Sequence, residues 1–105
     1  MYGYNMARMA FTIILAPEAI RDFQKLRSGI RSEVRDAIER HLRHRPMETS
    51  KARVKRLRGV SRPQFRLRVG DVRVFYDVEE AEVHILAIVE KEEAEDWLRE
   101  AGSGK

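Results

Sequence analysis

The most restrictive feature of the chain is the run from Phe65 to Val78, where apolar and polar residues alternate on both sides of a Gly70-Asp71 pair. Successive side chains of a strand point to opposite faces, so each half of the run has one apolar and one polar face. A two-residue turn opening on glycine joins adjacent antiparallel strands and fixes their register. Val69 then opposes Val72, Arg68 opposes Arg73, Leu67 opposes Val74, Arg66 opposes Phe75 and Phe65 opposes Tyr76. Phe65, Leu67, Val69, Val72, Val74, Tyr76 and Val78 share one face, which must be covered. Arg66, Arg68 and Arg73 share the other, with Phe75 among them.

The rest of the chain supplies the cover. Ala10 to Leu15 is β-branched and apolar and ends before Pro17, as a strand does. Pro17 followed by Glu18 starts a helix whose apolar stripe is Ile20, Phe23 and Leu26 and which Ser28-Gly29 ends. Ile30, Val34, Ala37, Ile38 and Leu42 mark a second helix, stopped at Pro46 and antiparallel to the first. Residues 47–63 are polar and basic, and part of them can pair as an edge strand. Val83 to Val89 is apolar at nearly every position, like a strand covered on both faces. Glu90 to Glu100 is helix-forming, with Ala94, Trp97 and Leu98 as its stripe. Helices segregated from a mainly antiparallel sheet of three to four strands, preceded by an N-terminal strand, define an α+β domain. Residues 10–100 are expected to form one domain, with residues 1–9 a disordered leader and 101–105 a flexible tail.

At 105 residues there is room for one small core. With no cysteine, disulfides and thiolate metal sites are excluded. No apolar run approaches the 18 or so residues of a membrane span, and no signal peptide precedes the domain. A cytoplasmic protein that makes no membrane contact is expected.

The net charge of +4 is unevenly spread. Lys51 to Arg73 holds nine basic residues and one acid, whereas Glu79 to Glu100 holds nine acids against Lys91 and Arg99. Arg68 opposite Arg73 is a like-charge cross-strand pair, which weakens a sheet by a few tenths of a kcal/mol. Either the arginines are the solvated side of a half-exposed sheet, or an anion sits over them. The basic run leading in favours the anion, because planar guanidinium groups bind phosphate bidentately and keep their charge. Phe75 would offer a base a stacking surface. Lys51, Arg53, Lys55, Arg56, Arg58 and Arg62 would extend this surface and are candidate RNA-binding residues. A third strand turning at Glu79 to Glu82 adds Leu86 and Ile88 to this face and sets His84 beside Asp77. The acidic last helix, next to the basic sheet, is expected to neutralise part of it. His41 and His44 stand three apart on a helix but read as helix-end residues, and no metal is expected. Trp97 reads as a core or partner-docking anchor.

The string Lys55-Arg-Leu-Arg-Gly59, then Phe65-Arg-Leu-Arg-Val-Gly-Asp71, then Val72-Arg-Val-Phe-Tyr-Asp-Val78, behind two helices in this order, resembles the RelE/ParE toxin superfamily from about Phe11 to Leu98. The resemblance implies the toxin of a type II toxin–antitoxin system. RelE-type toxins cut mRNA on the ribosome without a metal or other cofactor, the ribose 2′-hydroxyl attacking the adjacent phosphate. Arg66 and Arg68 stand where they carry two sheet lysines, and Arg73 where they carry an arginine, so these three are the implied catalytic residues. In the last helix the family's arginine and tyrosine are replaced by Lys91-Glu-Glu-Ala-Glu-Asp-Trp97-Leu98. His84, Glu92 and Glu95 are then the candidate acid or base groups.

The implied partners are a cognate antitoxin, the ribosome and mRNA, with operator DNA reached only through the antitoxin. Phe75, Leu86, Ile88 and Trp97 are the candidate antitoxin contacts. Two other functions fit the sequence: a ParE-like toxin that blocks DNA gyrase without cutting RNA, and a catalytically weakened module that binds RNA or antitoxin.

Overall fold

A computed structural model describes residues 10–103. The leader expected over residues 1–9 and the last two positions of the tail lie outside them. The elements are β1 (Thr12–Leu15), α1 (Pro17–Lys25), α2 (Ser28–Leu42), β2 (Val54–Arg56), β3 (Phe65–Val69), β4 (Val72–Glu79), β5 (Glu82–Glu90) and α3 (Lys91–Ser103). The helix α3 thus continues past Glu100. Together they form an α+β fold of three helices and one five-stranded sheet in the order β1-β5-β4-β3-β2. All neighbouring strands are antiparallel except β1, which runs parallel to β5.

The β3–β4 hairpin has the register expected from its alternation, from Phe65↔Tyr76 to Val69↔Val72. Gly70 opens the turn at φ 57°, the positive value required at the first central residue of a type II′ turn. Phe65, Leu67, Val69, Val72, Val74 and Tyr76 are buried against Ala19 of α1 and Val34, Ile38 and Leu42 of α2. Phe65 and Tyr76 stack at 5.4 Å, and the Tyr76 hydroxyl donates to the Pro46 carbonyl at 2.6 Å. Burial pushes the Tyr76 phenol well above its ordinary pKa.

Two local expectations are corrected. Ser28-Gly29 opens α2 instead of ending α1: the break falls at Leu26 and Arg27, whose ψ angles of 149° and 152° are extended. Ile20 is 44% exposed, and Ala19 takes the core position on α1. At the other end of that helix, the Asp22 carboxylate accepts the Ile88 amide at 2.9 Å, where β5 runs on beyond the end of β1. Among the described residues no helix is long and apolar enough to cross a membrane.

Candidate functional site

The second face of the sheet is set by the same hairpin. Arg66 and Arg68 on β3 alternate with buried Phe65, Leu67 and Val69, and Arg68 lies opposite Arg73. The pairing Lys55↔Arg66 puts Lys55 of β2 on this face too. Four cations therefore meet on adjacent strands. No carboxylate forms an ion pair with Arg66, Arg68 or Arg73 among the described residues. Arg73 turns back to donate to the Gly70 and Val72 carbonyls at 2.9 and 3.2 Å.

Arg66 is the most constrained of the three. Its Nε is buried and has no hydrogen-bond partner. Desolvation first, then the charges of Arg73 and Arg68, hold its pKa below that of a free arginine. The group nevertheless stays protonated near neutral pH, because arginine starts above about 12. A desolvated, under-bonded guanidinium beside two like charges is a costly arrangement that an incoming phosphate would relieve.

The structure moves three expected features of this face. Phe75 is only 2% exposed, and its ring is covered by Trp97 of α3, stacked at 4.9 Å and 12°. It is therefore not an open platform for a base. Ile88 lies on the opposite, core-facing side, paired with Val74 and 3% exposed. The cause is a register shift at Phe75/Tyr76: Phe75 pairs with Ala87 and Tyr76 with Ile85, so Leu86 is an extra residue. Such a bulge reverses the alternation beyond it, which leaves Leu86, Ala87 and Val89 on the arginine side. Arg56 also faces away, its guanidinium 5.2 Å from the Phe65 ring centroid.

The remaining basic residues are dispersed. Arg62 donates to the buried Asp77 carboxylate at 2.8 Å, an acid that also accepts the Gln64 amide at 2.7 Å. Lys51 and Arg58 are exposed. The Arg53 carbonyl accepts the Arg68 amide at 2.8 Å, while its side chain lines a cleft beside α2.

Among the proton-carrying candidates, His84 sits opposite Asp77 as expected. Its Nε2 lies 2.8 Å from Glu82 and 3.7 Å from Glu79. It is three residues along β5 from Ala87, which is level with Phe75 and Arg66. At about 3.3 Å per residue that is roughly 10 Å along the strand. Glu92 and Glu95 are exposed on α3. Among the described residues, no carboxylate of this helix forms an ion pair with Arg66, Arg68 or Arg73. Its charged contact with the hairpin is cationic, Lys91 Nζ reaching Asp71 at 3.5 Å, while the Lys91 amide donates to the Asp71 carbonyl. Trp97 itself is held by a 3.1 Å bond from Nε1 to Glu18 of α1, a contact between distant segments that nothing in the local sequence signals.

The chain folds as a five-stranded mixed sheet with an αα-hairpin on one face and, on the other, three arginines that form no ion pair among the described residues. The chain matches the family described as the ParE toxin of the type II toxin–antitoxin system parDE over residues 13–95, and it belongs to that family. Its fold is similar to that of the toxin–antitoxin complex RelBE2 of Mycobacterium tuberculosis, at 24% identity and TM-score 0.65 over 79% of this chain and 93% of that one. It is similar to a mutant of E. coli toxin RelE in the free state, at 21% identity and TM-score 0.64 over 85% and 92%. The RelE-RelB complex of Pyrococcus horikoshii gives 25% identity and TM-score 0.59 over 79% and 97%. No curated protein matches the chain.

Proposed function

We propose that this toxin inhibits translation by binding mRNA on the ribosome and promoting its cleavage. The ribose 2′-oxygen gives up its proton and attacks the adjacent phosphate while the bond to the next nucleotide's 5′-oxygen breaks, leaving a 2′,3′-cyclic phosphate and a 5′-hydroxyl protonated from solvent. The observation that carries this reading is the Arg66, Arg68 and Arg73 cluster, a preformed anion site with an unmet donor at Arg66 Nε. Charge builds on the phosphoryl oxygens in the pentavalent transition state, and fixed guanidinium groups there stabilise it more than the ground state. The arginines do not exchange protons near neutral pH. His84 and the exposed carboxylates Glu92 and Glu95 of α3 are this chain's candidate bases.

A cognate antitoxin would neutralise the toxin by covering the arginines together with Leu86 and the Trp97 edge, as a helix laid in a groove does. Related RelE proteins are found in complexes with RelB. Operator DNA would be met only through that partner, in the cytoplasm.

A second reading, inhibition of DNA gyrase, is favoured by the family match and by Trp97, which transfers no proton, near where a catalytic tyrosine is expected. Adding the purified toxin to a reconstituted translation reaction and, separately, to a gyrase supercoiling reaction distinguishes them. Translation arrest with normal supercoiling supports the first reading. Normal translation with gyrase-linked DNA breaks replaces it with the second, and no effect on either leaves a binding module.

A further inference from the structure

On the helical side of the sheet, at the β2 edge, the end of α2 and the loop into β2 enclose an open cleft of about 660 Å³. Arg40, His41, His44 and Arg45 line it from the helix and the turn that follows, and Ser50 and Arg53 line it from the loop. The single acid, Glu48, lies 3.6 Å from Arg45. Neither Arg40 nor Arg53 forms an ion pair among the described residues. The loop is held in place: Ser50 Oγ accepts the amides of Arg53 and Val54 at 3.0 and 3.3 Å. The negative end of α2 accounts for Arg40 and His41. It does not account for Arg53, which arrives from a separate segment and faces them.

His41 registers this crowding. Burial, then the charges of Arg53 and Arg40, depress its pKa below the ordinary histidine value. The cleft is a concentration of positive charge gathered from two segments of the chain. It is also separate from the arginine face, since Val54 beside it pairs with core-facing Leu67 while Lys55 pairs with Arg66. The basic run therefore serves both sides of one sheet edge.

We propose that this cleft is a second phosphate site, holding backbone phosphate of an RNA that wraps the β2 edge from the arginine face. The identity of the polymer rests on the function proposed above, whereas the phosphate chemistry does not. An anion beside His41 offsets the charges of Arg53 and Arg40 and favours the imidazolium. Binding then takes up a proton, and affinity rises as pH falls into the range where His41 titrates, which in the free protein lies below the ordinary histidine range. The groups facing His41 in this titration are Arg40, His44 and Arg45 from the helical side, Glu48, Ser50 and Arg53 from the loop, and apolar Val54 from β2.

The test uses the full chain with two probes at about pH 5 and about pH 8, either side of the histidine range. Inorganic phosphate is titrated while the His41 side-chain resonances are followed by NMR. A fluorescein-labelled oligoadenylate is titrated by anisotropy across a salt series. The proposal expects saturable His41 shifts with phosphate, absent in Arg40→Gln/Arg53→Gln, and tighter oligoadenylate binding at the lower pH, because phosphodiester charge does not change across this range. It expects RNA binding by that variant to weaken roughly tenfold and its log–log salt slope to fall by about 1.4, for two lost contacts with a single strand. His41→Gln should bind RNA with a flatter pH dependence. Absence of saturable shifts, or an unchanged RNA affinity and salt slope in the double variant, overturns the proposal. Arg66→Gln/Arg68→Gln separates the two ideas: it should lose translation arrest while phosphate still shifts His41.

Discussion

The indole of Trp97 lies flat on the ring of Phe75, 4.9 Å between centroids, so an aromatic of the arginine face is closed by a side chain from the last helix. The stack joins α3 to β4, and the bond from Trp97 to Glu18 joins it to α1. Trp97→Ala should lower stability by about 2 kcal/mol through lost burial and the lost aromatic pair. Urea unfolding followed by circular dichroism measures this. The same variant uncovers Phe75 and should bind oligoadenylate more tightly, because an open ring stacks a base. Weaker RNA binding by the folded variant would instead make Trp97 part of the RNA contact.

Arg66 is expected to cost stability that the site requires. Its Nε is buried without a partner, and Arg68 and Arg73 lie beside it. Arg66→Leu removes both penalties and should raise stability by about 1 kcal/mol while abolishing translation arrest. Parallel denaturation and translation assays check the pair of outcomes, and a destabilised variant would show that the guanidinium is structural.

The Tyr76 hydroxyl bonds to the Pro46 carbonyl at 2.6 Å inside the core. Tyr76→Phe should cost about 1 kcal/mol while keeping the stack on Phe65. Because burial raises the folded phenol pKa, Tyr76 contributes stability in full below the unfolded value of about 10. That contribution is lost as pH rises above this value, where the unfolded chain ionises and the folded one resists. Stability measured from neutral to strongly alkaline pH should fall less steeply in Tyr76→Phe than in the wild type.

Glu80, at the β4–β5 turn, adopts φ 52°, the left-handed region that disfavours a side chain. It is exposed, so Glu80→Gly loses no packing. The variant should be more stable by about 0.5 kcal/mol, once the extra freedom of glycine in the unfolded chain is offset. A thermal melt with an unchanged or lower midpoint would contradict this.

The hairpin was legible because alternation on both sides of Gly70-Asp71 leaves one register that buries a complete apolar face. The arginine face followed from the same period of two. On β5 the signal fails: Ile85, Leu86, Ala87 and Ile88 are all apolar, so nothing in their order marks Leu86 as the extra residue, and Ile88 is assigned to the wrong face. Ser28-Gly29 reads equally well as the end of one helix or the first turn of the next, and only the extended ψ of Leu26 and Arg27 decides it. The covering of Phe75 by Trp97 and the approach of Arg53 to His41 join residues distant in sequence, and no local pattern encodes them. The charge asymmetry was legible as composition, but the expected pairing of α3 with the arginines is not found among the described residues, where α3 meets the hairpin through Lys91 and Asp71.

The most direct measurement is a primer-extension map of a defined mRNA in a purified translation system, with wild-type toxin and with Arg66→Leu and Arg73→Ala. The account expects cuts at codons positioned on the ribosome, none on the same message without ribosomes, and none with either variant. An intact message under wild-type toxin, or cuts that persist at full rate in either variant, would contradict it.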